Sequence, residues 1–479
     1  MNRLLPVTSR ISKLPLTALI SKHSAPITIP VVHYTRNMAT AALDRNTALP
    51  PNDAVSKAQV PAAAPAITPA QIAIVKATVP VLQQHGRTIT ELFYKNMLAA
   101  HPELRNMFNL NSQANGRQPQ ALAASVLAYA SYIDDLPKLR GAVERIAHKH
   151  ASLHVVPEQY AIVGEHLLGA IGAVLGDAAT PAIVDAWTTA YGVLADVLTG
   201  REKSLYAEHA NWVGWRKFRI ARREVEAEGI TSFYLAPVDG AKLPTYQPGQ
   251  YVSLQVYLPE HGVSQSRQYS LSTAPREAGD YYRVSIKREE YEDVLVGGTG
   301  SISTLLFDRY QVGDEVELTH PQGEYFVDVA DKTKEAAPLV LISAGVGATP
   351  NVSILESAVQ PGTTKRPVSW LQASQTKAML PFSEDVRRIQ QEHPEQVSTH
   401  TWLRAIEGDM TGVDFDHDNC RMDLSQVDKD KDLFAGNAAA EYYICGPERF
   451  MMDTRRTLES MGVDRDRIRL ELFSTGDVA

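Results

Sequence analysis

Residues 338–350 read PLVLISAGVGATP, and the reading of this stretch decides the fold. Four consecutive apolar residues, Leu339 to Ile342, suit a short strand buried on both faces. Glycines follow at 345 and 347, and a helical stretch opens after them. Glycine lets a backbone approach a pyrophosphate, and the helix N-terminus attracts the negative charge. The pattern departs from GxGxxG, because Pro350 stands where the third glycine belongs. Taken alone, the turn serves a plain strand–helix connection equally well.

Working outward, VSWLQAS, THTWLR, EYYICGP and IRLELFS read as further strands downstream. PFSEDVRRIQQEH and ERFMMDTRRTLESM read as helices between them. Strands that alternate with helices predict a parallel, doubly wound α/β sheet. Upstream the period drops to two. Val252, Leu254 and Val256 alternate with polar neighbours, as do Tyr282, Val284 and Ile286. Several short strands of this kind predict an antiparallel β-barrel. Further upstream, from Ile67 to about His209, apolar residues recur at three and four: Ile72, Val75, Val79, Leu82, and later Trp187, Tyr191, Leu194, Leu198. That block is all α-helix. The predicted fold class is therefore multidomain: all-α, then antiparallel barrel, then α/β.

Composition sets limits. The chain has 479 residues, 44% hydrophobic and 21% charged, which is ordinary for globular protein. A net charge of −8 argues against nucleic acid as a partner. No apolar run reaches the roughly 18 residues of a membrane span. Two cysteines, Cys420 and Cys445, exclude a disulfide scaffold and a four-cysteine metal site. The first 43 residues hold five basic side chains and no acid, with many Ser, Thr and Leu. That is the description of a mitochondrial transit peptide, which predicts a matrix location. A start at Met38 would add a cytosolic form. Residues 44–66 hold four prolines among alanines and read as an unfolded linker.

Motifs in the last two blocks point to cofactors. RQYSLST, Arg267 to Thr273, sets Arg267, Gln268, Tyr269 and Ser270 at one strand end, where an arginine suits a phosphate and a ring suits a flat cofactor. PGQYVSL adds Tyr251, and GSISTLL, with Gly300 and Ser303, suits a helix start facing a second phosphate. CGPERF follows a late strand. In order and spacing these segments resemble the ferredoxin–NADP reductase family. The resemblance implies that Arg267 pairs with the FAD pyrophosphate, Tyr269 stacks on the flavin and Ser270 bonds near its N5. It implies that Gly345, Val346, Gly347, Ala348 and Thr349 cradle NAD(P)H. Cys445, Gly446 and Pro447 would border the nicotinamide, and Phe473 would cover the other flavin face. Ser374 and Lys377 follow the VSWLQA strand, where a 2′-phosphate would sit, and lean toward NADPH over NADH unless they serve only as polar loop residues.

The helical block contains KHASLHVVPEQY, with His148, His150 and His154 before a proline break, and TITELFYKNMLAAHPELRNMFNLNSQ further upstream. An aromatic after a PEL turn, Gln118 and Leu122 four apart on one helix face, and a histidine seven residues before Pro157 resemble a globin. With the reductase attached, the chain from about Thr68 onward resembles a flavohaemoglobin, or nitric oxide dioxygenase. The resemblance implies haem b with His150 as the iron ligand, and Tyr160 and Glu202 as its hydrogen-bond partners. Tyr94 and Gln118 would bond bound O2, Leu122 would limit space over the iron, and Phe108 would pack on the porphyrin. Lys149 and Glu471 would lie between haem and flavin. It also implies oxidation of NO with O2 to nitrate, with electrons from NAD(P)H through FAD, in a monomer whose partners are small molecules. The corresponding domains are globin 67–210, FAD barrel 211–333 and NAD(P) domain 334–479. The alternatives are a general NAD(P)H-dependent reductase and an O2- or NO-sensing globin.

Overall fold

The first helix begins where Thr68 and Gln71 cap it reciprocally. Gln71 N donates to Thr68 Oγ1 at 3.2 Å, and Thr68 N donates to Gln71 Oε1 at 2.9 Å. Pro69 occupies the first helical position, where its missing N–H costs nothing. The computed structural model describes residues 66–209, 211–259, 261–277, 279–289, 302–406 and 417–473. The expected transit peptide, almost all of the expected linker, and Gly300 lie outside the described residues.

Helices α1 (Pro69–Ala77), α2 (Val79–Ala100), α3 (Leu110–Ala114), α4 (Arg117–Ser131), α5 (Arg140–Ser152), α6 (Pro157–Leu175) and α7 (Pro181–Glu208) form the first block. α2 packs on α4 and α6, and α1 on α7. Along α2, Leu82, Ile89, Phe93 and Met97 fall on one stripe and are buried. Each such side chain contributes about 1.5–3 kcal/mol on leaving water. Pro157 ends the turn after α5 and opens α6, so the histidine-bearing helix stops where the sequence breaks. α6 is the one described helix long and apolar enough to cross a membrane. Its Leu167, Ala170 and Ile171 are buried in the core of the helical block.

The second block holds β1 (Arg216–Ala227), β2 (Ile230–Pro237), β3 (Tyr251–Leu258), β4 (Val263–Ser270), β5 (Tyr282–Lys287), α8 (Ile302–Arg309) and β6 (Glu315–Leu318). Its strands pair antiparallel in the order β4-β3-β6-β1-β2-β5. A bridge between Leu271 and Val284 brings the end of β4 back to β5, so the sheet closes on itself at that end. Phe218, Ile220, Val252, Leu254, Val284 and Ile286 fill the interior, the alternate residues that period two puts on one face.

The third block runs β7 (Leu339–Ala344), α9 (Ala348–Ala358), β8 (Val368–Ser374), α10 (Ser383–Glu392), β9 (Val397–Leu403), β10 (His417–Asp418), β11 (Glu441–Cys445), α11 (Glu448–Ser460) and β12 (Ile468–Glu471). All pairs are parallel, in the order β10-β9-β8-β7-β11-β12. The direction of winding reverses at β7, between β8 and β11. Open α/β sheets bind ligands in the crevice outside the carboxyl ends of strands at such a point. The predicted sequence of helical, barrel and doubly wound blocks is the observed one.

Candidate functional site

His150 lies near the end of α5, and its Nδ1 is held from two sides. Glu202 Oε1 is 2.8 Å away and the Tyr160 hydroxyl 2.9 Å away. Tyr160 also donates to the same Glu202 oxygen at 2.5 Å. Glu202, on α7, is 2% exposed. A carboxylate buried that far is retained where its bonds are charge-assisted and geometrically complete. Burial raises the Tyr160 phenol far above its ordinary pKa, and the Glu202 charge adds to this, so the hydroxyl stays a donor. Both contacts use Nδ1, which leaves Nε2 available as a ligand. Among the described residues no three His, Cys, Asp or Glu side chains are placed to hold a bare metal ion.

The three histidines of the motif separate in the structure. His148 turns into the barrel, with Nδ1 2.7 Å from Gln322 Oε1. His154, at φ 56°, packs edge-on against Tyr206 at 5.8 Å. Only His150 has the carboxylate and phenol.

Tyr94, on α2, is buried, and its hydroxyl accepts from Gln118 Nε2 at 3.3 Å. Burial pushes its pKa up to about 12, against the opposing effects of Gln118 and Gln113. Phe108 meets the Tyr94 ring edge-on at 5.4 Å, and Leu122 is partly buried in the same helical core. Gln113 was not singled out from sequence. Its Nε2 is buried without a hydrogen-bond partner.

Strand β4 brings RQYS beside the helical block. Gln268 accepts a hydrogen bond from Lys149 Nζ, the residue next to His150. The Tyr269 hydroxyl is 2.9 Å from Ser303 Oγ on α8, and Arg267 Nη1 donates to Ser266 O at 2.7 Å. Ser270 Oγ is buried and unpartnered. An orphaned hydroxyl of this kind fits a ligand group that completes it. Tyr251, opposite Ser270 on β3, is buried.

At the carboxyl ends of the parallel strands, Cys445 is in register with Ser343 on one side and Glu471 on the other. Gly345 has φ 56°, a left-handed conformation. Gly347 has a second requirement, not anticipated from the phosphate reading. A Cβ there would lie 2.3 Å from the Cys445 carbonyl oxygen. The glycine thus lets the turn after β7 touch the end of β11. Val346 and Ala348 complete that turn, Thr349 Oγ1 donates to Val346 O at 3.0 Å, and Pro447 caps α11 after Gly446. Burial raises the Cys445 thiol well above its ordinary range. Glu471 is buried, and this lifts its carboxyl strongly, with Lys149 and Arg145 opposing. Burial lowers Lys149 to about 8, with Glu471 opposing and Arg267 adding to the fall. Phe473 is half exposed, just beyond β12.

Two junction residues escaped the sequence reading. Glu356, on α9, accepts from Thr273 Oγ1 at 2.8 Å and Ala274 N at 2.7 Å, tying the helix after the glycine turn to the strand exit after RQYS. Gln322 joins His148 to His320, with Nε2 2.9 Å from His320 Nδ1.

Fold and site together define a globin joined to a nucleotide-dependent flavin-type reductase. The globin family profile matches residues 91–198, and that of the oxidoreductase NAD-binding domain matches residues 341–456. A flavohemoprotein of Bordetella pertussis is 45% identical over 419 residues, covering 86% of this chain and 100% of its own. One from Deinococcus radiodurans is 45% identical over 411 residues, 85% of this chain and 97% of that relative. The crystal structure of the flavohemoglobin from Malassezia yamatoensis, with bound FAD and heme, superposes with a TM-score of 0.74 at 30% identity. It covers 85% of this chain and 100% of that one. The chain belongs to the flavohemoprotein family.

Proposed function

We propose that this chain is a nitric oxide dioxygenase, which converts NO and O2 to nitrate with electrons from NAD(P)H. The observation that carries the reading is His150 with a buried carboxylate on Nδ1, in the same helical core as the paired Tyr94 and Gln118. When bound, haem b would supply iron for the diatomic ligands, and FAD would turn a hydride pair into single electrons. The residues present fit both groups. His150 offers Nε2, and Glu202 and Tyr160 fix its ring orientation and make it a stronger donor. Ser270 offers an unpartnered hydroxyl, Arg267 a cation for phosphate and Tyr269 a ring.

The protein's own contribution is positioning and polarity. With a pKa near 12, Tyr94 keeps its proton at neutral pH and can donate it in a hydrogen bond to a small ligand. Gln118 orients that hydroxyl. Gly345 to Thr349 present the start of α9 to nicotinamide phosphates. Ser374, at the end of β8, and Lys377 favour NADPH. Lys149, bonded to Gln268, links the His150 helix to the flavin strand, and Glu471 offsets its charge. A reductase so closely attached argues against simple oxygen storage, which needs no hydride path. We read residues 1–43 as a mitochondrial transit peptide, with a cytosolic form from Met38. Sequencing the N-terminus of the native protein checks this.

The experiment is to follow NO with an electrode on adding haem- and FAD-loaded protein and NADPH in air-saturated buffer, with assay of the product. Fast catalytic loss to nitrate supports the proposal. Slow or stoichiometric loss, with rapid reduction of ferric or quinone acceptors, replaces it with a general reductase.

A further inference from the structure

Gln265 lies on β4, three residues before Gln268, and is 3% exposed. Its carboxamide is used entirely within the protein. Oε1 accepts from Leu110 N at 3.1 Å, and Nε2 approaches Arg105 O at 2.8 Å, Ser264 O at 3.0 Å and Phe108 O at 3.2 Å. The neighbouring Ser264 N donates to Asn106 Oδ1 at 2.8 Å. One barrel strand therefore holds the globin segment from Arg105 to Leu110 by both its backbone and its buried amide.

That segment packs beside Tyr94. Phe108 lies against the Tyr94 ring, and Leu110 opens α3, which carries Gln113. Gln118 Nε2 donates to the Tyr94 hydroxyl at 3.3 Å, and the Gln113 amide lies near enough to lower the Tyr94 pKa. The far end of β4 carries Arg267, Tyr269 and Ser270. From Gln265 to Ser270 is about 17 Å of extended strand, at about 3.4 Å per residue. A paired strand of this length moves as a stiff unit, and its two ends serve different cofactor sites.

We propose that Gln265 is a positioning residue that sets the distal haem pocket from the flavin-binding strand. The inference rests on the haem and flavin reading above. Gln265 touches no reacting atom. It fixes the loop that places Phe108 and Gln113 around Tyr94, so ligand retention in the globin depends on a side chain of the reductase. A buried amide left with unmatched partners is costly, so its removal releases the loop rather than leaving it in place.

The test uses full-length haem- and FAD-loaded protein in the ferrous CO form. Infrared spectra of the C–O stretch report polarity at the ligand, and stopped-flow reports O2 dissociation. Gln265→Ala is expected to add or shift a C–O band and to speed O2 release by about tenfold, roughly one hydrogen bond. A residue that only stabilises the junction would lower the unfolding midpoint and leave the C–O band in place. An unchanged band and off-rate in folded Gln265→Ala protein overturn the proposal. Should that variant fail to fold, Asn106→Ala removes the milder contact. It is expected to shift the band in the same direction by less, and an unchanged band there is equally fatal. The measurement needs no NO turnover, so a failure of the dioxygenase reading shows in a different experiment. A parent protein that forms no CO complex would overturn the haem reading and this inference together.

Discussion

His320 should make the junction of globin and barrel sensitive to acid, and its size can be worked out. The ring is 1% exposed and stacks on His209 at 4.5 Å between centroids. Tyr206 and Trp212 meet it edge-on, and Gln322 bonds Nδ1. Burial lowers its pKa to about 4; His209, His154 and His148 add to the fall, while the Pro321 carbonyl opposes it. The unfolded chain takes up this proton near 6.5, and the folded chain only near 4. Between those values the unfolded state binds more protons, so stability falls as pH falls. At about 1.4 kcal/mol per pH unit the full effect is about 3 kcal/mol, with about 2 kcal/mol already lost at pH 5. The perturbation is His320→Gln, which keeps a neutral hydrogen-bonding group. Urea unfolding at pH 7.5 and pH 5, followed by tryptophan fluorescence, gives the acid loss for each protein. The variant is expected to lose about 2 kcal/mol less than the parent over that interval, whatever its stability at pH 7.5. Equal losses in the two proteins would refute the argument.

Three further outcomes are expected. Tyr94→Phe removes the hydroxyl that Gln118 bonds, and O2 dissociation by stopped-flow should rise about tenfold; an unchanged rate takes Tyr94 out of the pocket's function. Arg267→Ala should lose FAD on gel filtration while keeping haem absorbance, and full flavin content would count against its phosphate role. Gly347→Ala forces a Cβ onto the Cys445 carbonyl, so the strand ends must move, at about 1–3 kcal/mol. Flavin reduction by NADPH should slow while dithionite reduction does not; equal slowing with both would place the damage elsewhere.

The order of blocks was legible because each has its own period: three to four in the helices, two in the barrel, short apolar runs in the parallel sheet. Side chains near a motif were legible too, since RQYS and AGVGATP are contiguous in the chain. Contacts across the chain were not. From the residues alone Glu202 reads as a helix charge, and only the family resemblance points to its place beside His150, 52 residues away. Gln265 reads as an ordinary polar residue of an alternating strand, and its partners lie about 155–160 residues away in the helical block. The second requirement at Gly347, its approach to the Cys445 carbonyl, was not legible, because a strand end arriving from 98 residues downstream leaves no local mark. His320 shows no pattern either; Tyr206, His209 and Trp212 reach it from distant sequence only in three dimensions.

Strand β4 stands at the end of its sheet order, paired along its length with β3 and meeting β5 through the bridge just past Ser270, and among the described residues the globin segment Arg105–Leu110 meets its Ser264–Gln265 end. An uncovered outer strand offers a row of unpaired backbone groups to any passing chain, and natural proteins guard such rows. Here the guard is the globin half of the molecule, with Asn106 taking the outward N–H of Ser264. A reductase cut free of its globin would bare that row and gain a template for strand pairing between copies. The junction thus closes an edge that would otherwise invite strand pairing between copies.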